Sequence, residues 1–191
     1  MHLKIAHKLN LIFSASLMVR VNPDECILAL DQTRKIPITD QEVNDAFGLP
    51  QGSRTIPPGH SDLSVVCIEF SRLASSMSTE GVHSLKAAEF ILSKAVDENS
   101  SKVECECFKI AFVIFSFGHV LNPCAKHDYT SVDYWAALVM PSEINYYDWC
   151  RLVKYSLMKG VRKMKIDIHN GNTTIHIIGC HLLLQVYCTT R

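Results

Sequence analysis

The spacing of apolar residues predicts helices along most of the chain. Over residues 149–165, apolar side chains share one half of the helical wheel while Arg and Lys cluster on the other, the pattern of an amphipathic surface helix. Ser84 and Ser142 are expected N-cap residues. The helices predicted from this spacing cover residues 2–19, 63–76, 84–99, 104–121, 131–139, 142–167 and 173–188.

A stretch near the N-terminus departs from the helical pattern. Residues 26–30 form a short β-prone run, a polar turn follows, and residues 35–38 can return as a second strand. The next segment, "TDQEVNDAFGLP", begins with Thr39 and Glu42 at the spacing of a capping box. Gly48 can then take the left-handed position that ends a helix. The predicted fold class is therefore mainly α, a helical domain with a small N-terminal β-hairpin.

The loop of residues 51–62 predicts a boundary within the chain. Its sequence, "QGSRTIPPGHSD", is rich in Gly, Pro and Ser. It separates an N-terminal module of helix, hairpin and capped helix (residues 1–50) from a helical region (residues 63–191). Because the chain has only 191 residues, of which 48% are hydrophobic, we expect the two parts to share one core.

The composition disfavours several classes of protein. Lys and Arg together number 19 and are balanced by 19 Asp and Glu, which argues against a globally basic nucleic-acid binder but leaves room for a local patch. The longest apolar run, residues 108–121, is shorter than the ~20 residues needed to cross a bilayer, so we expect no membrane association. The eight cysteines, with no recognisable secretory signal, indicate reduced thiols in an intracellular protein of the nucleus or cytoplasm.

Cys124 and His127 are the strongest metal-ligand candidates, because their C-x-x-H spacing could serve one zinc ion. Cys105 and Cys107 would point about 200° apart on a helix and could not easily hold one ion together. Further ligands would have to come from His119, Cys180 and His181. Since no second closely spaced pair occurs, buried thiols are the preferred interpretation and no metal is predicted.

No catalytic centre is predicted. Cys124, His127 and Asp128 are neighbours in sequence, but the members of a nucleophilic triad seldom come from one short loop. We instead expect Asp128 or Thr130 to cap the helix that follows, and Tyr134 to pack that helix on the core. The chain also lacks a phosphate-binding loop and a dinucleotide fingerprint, so we predict no enzyme, no cofactor and no small-molecule ligand.

The basic half of the helix over residues 149–165 is the candidate binding surface, because Lys and Arg on one helical face can follow phosphates. The alternative is an ordinary solvated face, and exposed aromatic residues that would stack on single strands are not expected between the basic positions. Gly160 lies in the apolar half, where it predicts the close approach of a neighbouring helix. The predicted nucleic-acid contacts are Arg151, Lys154, Arg162 and Lys165.

Three stretches together resemble a known family. The first is "LMVRVNPDECILALDQTRKIPITDQEVNDAFGLPQGSR" (residues 17–54), the second is "FVIFSFGHVLNPCAKHDYTSVDYWAAL" (112–138), and the third is "TTIHIIGCHLLLQVYC" (173–188). They resemble blocks of the aminotransferase-like plant mobile domain and its relatives in plant transposon-derived proteins. The second block, with "PCAKHDY" and "DYW", is the most specific.

The resemblance implies a non-enzymatic, transposon-derived plant module that acts through protein or nucleic-acid contacts. Such regions often lie upstream of a SUMO-protease-like cysteine peptidase domain, so the alternative is an N-terminal fragment of such a peptidase without its catalytic domain. Neither the peptidase's His…Asp…Cys region nor a pyridoxal-phosphate site is recognisable in the chain. Because relatives usually continue beyond the position of residue 191, a C-terminal truncation is also expected. The downstream reading frame distinguishes these alternatives.

Overall fold

The chain is mainly helical and has a small antiparallel sheet near its N-terminus, which confirms the predicted fold class. A computed structural model describes residues 10–57, 64–94, 96–124 and 126–190. The helices are α1 (Leu11–Val19), α2 (Asp40–Phe47), α3 (Val65–Met77), α4 (Leu85–Ser93), α5 (Lys102–Ser116), α6 (Trp149–His169) and α7 (His181–Thr190). The strands are β1 (Val21–Asn22), β2 (Ile27–Ala29) and β3 (Lys35–Pro37). A π-helical turn at Phe117–Leu121 and short 3-10 helices at Gly81–His83, Trp135–Leu138 and Pro141–Tyr146 complete the described elements.

The sheet contains the predicted hairpin and one additional strand. β2 pairs with β3, and β1 pairs with the other edge of β2, so that the order is β1-β2-β3. Leu28 lies opposite both Val21 and Ile36, and all three side chains are buried. Because side chains alternate between the two faces of a strand, this shared register places one face of the sheet on the core.

Serine, threonine, asparagine and aspartate side chains start the helices α1 to α6. In α2 the Thr39 hydroxyl accepts a hydrogen bond from the Glu42 N–H at 3.2 Å, and Gly48 ends the helix with a φ of 67°. The Thr39 cap and the Gly48 end of α2 confirm the prediction, while the reciprocal bond from Glu42 that completes a capping box stays a prediction. Ser84 caps α4 as predicted, whereas the predicted cap Ser142 is wrong. Residues 141–146 form a 3-10 helix instead, and Asp148 caps α6, whose first residue is Trp149.

Other predicted helix bounds also differ from the structure. Of the first predicted helix, residues 2–9 lie outside the described residues. The helix predicted at 84–99 ends at Ser93, and only a short 3-10 helix at 135–138 replaces the one predicted at 131–139. The last helix starts at His181 rather than near 173, because Gly179 has a φ of 81° that an α-helix cannot contain.

The buried side chains of the N-terminal elements and of the helical region form one cluster. Leu28 and Val43 on the N-terminal side belong to the same cluster as Leu157 of α6 and Leu184 of α7. α1 packs against α7, and α2 packs against α6. The domain boundary predicted at 51–62 stays a prediction, and residues 58–63 of that loop and its border are not described. None of the described helices is both long enough and apolar enough to cross a bilayer.

Gly160 allows the close approach that its position in the apolar half of α6 predicts. A Cβ at Gly160 would lie 2.3 Å from the carbonyl oxygen of Ile178. The neighbour is therefore the extended segment before α7 and not a second helix. Gly179 makes the reciprocal approach, since its Cβ would lie 2.8 Å from the Ser156 carbonyl oxygen. Two glycines thus let backbone pack on backbone where α7 joins α6.

Replacing Gly160 with Ala is expected to lower the free energy of unfolding by up to about 2 kcal/mol. Alanine is the better helix former by ~1 kcal/mol, but a methyl group forced against the Ile178 carbonyl carries an overpacking cost of roughly 1–3 kcal/mol. Urea denaturation followed by circular dichroism measures the change. The exposed Ile166→Ala in the same helix serves as the control, with an expected change within about 0.5 kcal/mol. A stabilised Gly160→Ala variant would show that the segment before α7 does not press on α6.

Candidate nucleic-acid interface

Asp128 anchors the polar loop between α5 and α6 to the start of α4. Its carboxylate accepts hydrogen bonds from the Lys86 N–H at 2.7 Å, from the Ser84 hydroxyl at 3.0 Å and from the Ser78 hydroxyl at 3.2 Å. Burial raises the pKa of Asp128, but these hydrogen bonds outweigh it and hold the pKa below its ordinary value. The residue has a φ of 51°, a conformation that Asp tolerates better than most residues.

The prediction that Asp128 or Thr130 caps the next helix is therefore wrong. Asp128 instead accepts the N–H of Lys86 in the first turn of α4, 42 residues earlier in the chain, and so supplements the Ser84 cap of that helix. Thr130 is fully buried, and its N–H donates to the carbonyl oxygen of His83 at 2.9 Å. The His83 ring also stacks on Tyr129, with 4.9 Å between the ring centroids. Asp128, Tyr129 and Thr130 thus fix the loop against the α3–α4 region.

The candidate metal ligands each have different neighbours in the structure. The Cys124 thiol donates to the Tyr129 carbonyl oxygen at 3.0 Å, while His127 is exposed. In the part of the chain that the structure describes, no group of three or more Cys, His, Asp and Glu side chains is arranged to hold a metal ion. Cys180 is buried, and that burial raises the pKa of its thiol to about 12. His181, the first residue of α7, contacts α1, where its Nδ1 lies 2.8 Å from the Ser14 hydroxyl.

Two of the four predicted nucleic-acid contacts are held by the N-terminal elements. Lys154 forms an ion pair with Asp40 of α2 at 2.7 Å. Arg162 forms an ion pair with Asp24 at 3.0 Å and donates to the carbonyl oxygen of Pro23 at 2.9 Å. These side chains join α6 to the elements that precede it, so they are less available to an external ligand.

Two further basic residues of α6, Arg151 and Lys159, border a cleft of about 650 Å³ between that helix and the polar loop, which residues 55–57 also line. The helical wall carries Arg151, Tyr155 and Lys159, at positions i, i+4 and i+8. Residues four apart lie on the same face of a helix, so these three side chains form one line. Tyr155 is 61% exposed. The loop wall carries Asn122, Pro123, Cys124, Ser131, Asp133 and Tyr134.

The structure therefore changes which residues make up the candidate binding surface. Sequence reasoning identified Arg151 but missed Lys159, and it expected no exposed aromatic residue between basic positions. Tyr155 is such a residue. The i, i+4, i+8 spacing in the sequence indicates that Arg151, Tyr155 and Lys159 share one face of the helix. A helical wheel does not show, however, that the polar loop leaves Tyr155 exposed. The fourth predicted contact, Lys165, lies farther along α6 and is half-buried.

Local hydrogen bonds and ring contacts fix the two walls of the cleft. The Asp148 carboxylate accepts the Arg151 N–H at 2.9 Å and so starts α6. Trp149 donates its indole N–H to the Ile144 carbonyl oxygen at 2.7 Å and meets the ring of Tyr134 edge-on, with 5.8 Å between the centroids. Tyr134, 2% exposed, belongs to the loop wall. One aromatic contact therefore sets the loop against the helix.

The charges at the cleft are a pair of cations beside two carboxylates. Arg151 and Lys159 form no ion pair with any other residue that the structure describes. Asp148 is engaged as the cap of α6. Asp133 is exposed, and among the described residues it forms neither a hydrogen bond nor an ion pair at its carboxylate. The cleft thus offers two free cations, one stacking surface and one free carboxylate.

Comparison with known proteins identifies a family but no activity. The model of a family described as "Domain of unknown function (DUF8566)" matches residues 1–185. The chain belongs to this family. The matched region contains both walls of the cleft, so the cleft lies within the family's domain and not beside it. No curated protein and no solved structure matches the chain.

Proposed function

We propose that this chain is a non-enzymatic module that binds single-stranded nucleic acid along the exposed face of α6. The observation that carries the proposal is the line of Arg151, Tyr155 and Lys159 beside an open cleft. Single-strand binders combine basic side chains that follow the backbone with aromatic rings on which bases stack. Both kinds of group stand here on one rigid helix, already exposed to solvent.

The spacing of the two cations suits a polynucleotide strand. Arg151 and Lys159 are eight residues apart, which is about 12 Å along a helix. That distance spans roughly three to four nucleotides of a stacked strand at about 3.4 Å each. Tyr155 lies midway, where a base from the intervening nucleotides can stack. A duplex would offer its phosphates to Arg151 and Lys159 but no unpaired base to Tyr155, so we expect single strands to bind more tightly.

The origin and location of the module are proposed on sequence grounds alone. The three blocks that resemble the aminotransferase-like plant mobile domain support a transposon-derived plant protein of the nucleus or cytoplasm. A nucleic-acid contact is consistent with that origin. The alternative, a precursor fragment of a SUMO-protease-like peptidase, rests on the same resemblance, and the downstream reading frame tests it.

The charge of the line is tested with the double variant Arg151→Glu/Lys159→Glu. We expect its affinity for a labelled 12-nucleotide single strand to fall by about tenfold or more at low salt, because two phosphate contacts are reversed. The slope of log K against log salt is negative, and its magnitude should decrease by about 1.4, because each of the two lost contacts accounts for ~0.7. Fluorescence anisotropy across a salt series measures both quantities, with DNA and RNA strands compared.

The matched control is Lys102→Glu/Lys109→Glu, which changes the net charge equally at exposed positions on α5, outside the cleft. We expect it to retain most of the affinity. Tyr155→Ala should weaken single-strand binding by about fivefold or more while leaving the salt slope unchanged, since stacking is not ionic. Equal losses in the two double variants, or no binding by the unchanged protein at low salt, would contradict the proposal.

A further inference from the structure

Asp133 is an unexpected residue in a cleft that attracts phosphates. It is exposed on the loop wall, whereas Arg151 and Lys159 border the helical wall. A carboxylate repels a phosphate backbone, so Asp133 lowers the affinity of the cleft for any ligand that contacts it through phosphates alone. Because Asp133 has no cation or hydrogen-bond donor at its carboxylate among the residues described, its two oxygens remain available to a ligand.

Only one common base offers two adjacent donors to a carboxylate. On its Watson–Crick edge, guanine presents N1–H beside the N2 amino group, which matches the two oxygens of Asp133. Adenine and cytosine each present a single amino group next to an acceptor nitrogen. In thymine and uracil, N3–H stands between two carbonyl oxygens that a carboxylate repels. Unpaired bases are commonly recognised at this edge while they stack on aromatic side chains.

We propose that the cleft selects an unpaired guanine, stacked on Tyr155 and read by Asp133. The carboxylate accepts from N1–H and from the N2 amino group, and the neighbouring phosphates lie along Arg151 and Lys159. Asn122, on the same wall, has a side-chain amide that can donate to the guanine O6. The cleft of about 650 Å³ is within the roughly 300–1,000 Å³ of ligand pockets. This inference rests on the proposed single-strand binding.

The experiment uses four 12-nucleotide oligothymidines that differ only at one central position, which carries guanine, adenine, cytosine or thymine. Fluorescence anisotropy with the full chain should show roughly tenfold tighter binding of the guanine strand, the discrimination expected of a bidentate contact. A fifth strand with central inosine keeps N1–H but lacks the N2 amino group, and we expect its affinity to be intermediate.

Asp133→Asn supplies the decisive comparison. It removes one of the two charged acceptor oxygens, so the preference for guanine should fall to within about twofold. It also removes the repulsion of phosphates, so the affinity for the all-thymine strand should rise. Glu89→Gln, which neutralises an exposed carboxylate on α4 outside the cleft, should leave the guanine preference unchanged. Thermal melting by circular dichroism verifies that both variants are folded.

The outcomes separate the two proposals. Equal affinity of the unchanged protein for all four strands overturns the selection of guanine and leaves single-strand binding in place. A preference for another base, or a guanine preference that survives Asp133→Asn, also overturns it. No binding of any strand at low salt overturns the proposed function and this inference with it.

Discussion

Replacing Trp149 with Ala is expected to lower the free energy of unfolding by about 3–5 kcal/mol, the usual cost of truncating a buried tryptophan. Trp149 is 2% exposed and is the first residue of α6. Its ring lies 5.4 Å from that of Phe117 and 5.8 Å from that of Tyr134, measured between centroids. It therefore joins the π-helical turn, the polar loop and α6 at one point, and a cavity there removes contacts from all three. Denaturation in urea followed by far-ultraviolet circular dichroism measures the loss.

Trp149→Phe is the matched control because it keeps an aromatic ring but removes the indole N–H that donates to the Ile144 carbonyl oxygen. We expect this variant to lose about 1–2 kcal/mol, for one hydrogen bond and part of the ring's packing. If Trp149→Ala costs less than about 1 kcal/mol, the contact between α6 and the loop is not a main support of the fold. Weakened nucleic-acid binding should accompany the loss in Trp149→Ala, since one wall of the cleft depends on this contact.

Replacing Asp128 with Ala is expected to cost about 2 kcal/mol of stability, the second largest effect. Hydrogen bonds to a charged group contribute roughly 1.5–3 kcal/mol each, but the partial exposure of Asp128 allows water to screen them and the sum is smaller. Alanine also fits poorly at a φ of 51°. The adjacent and exposed His127→Ala is the control, with an expected change within about 0.5 kcal/mol.

The stability contributed by Asp128 should depend on pH in one direction. Its folded-state pKa is below the ordinary value of 3.8, so its contribution is fully present above pH 3.8 and is lost as the pH falls through the lower folded-state pKa. Asp128→Asn keeps the left-handed conformation accessible but removes the charge. The stability difference between the unchanged protein and Asp128→Asn should thus be largest near neutral pH and shrink in acid. A difference that does not change with pH would show that the charge is not what caps α4.

Features set by near neighbours in sequence could be predicted. Both ends of α2 depend on Thr39 and Gly48, which act within one or two turns of the helix. The apolar residues of α6 recur over many turns, so the helical period is recognisable even where a single position departs from it. β1, with two residues, is too short to show any alternation and was missed.

Features set by distant residues could not be predicted in the same way. Asp128 is a residue type that commonly caps the helix after it, but its hydrogen-bond partners lie at the end of α3 and the start of α4, and no local rule indicates that choice. The basic face of α6 is divided by ion pairs with Asp24 and Asp40, whose positions depend on how the N-terminal elements pack. Tyr155 and Lys159 form part of a site only because the loop of residues 122–134 lies beside them. The helical pattern gives their direction, but tertiary packing decides whether they border a cleft.

The pairing of α1 with α7 has a consequence for synthesis of the protein on the ribosome. The hydrogen bond between Ser14 and His181 joins residues that are 167 positions apart, and α1 also carries the buried residues Leu17 and Met18. At a translation rate of about 5–20 residues per second, α1 waits roughly ten to thirty seconds before its partner is made. During that interval the part of the α1 surface that α7 covers is exposed. A chaperone that shields nascent chains should therefore raise the yield of folded protein.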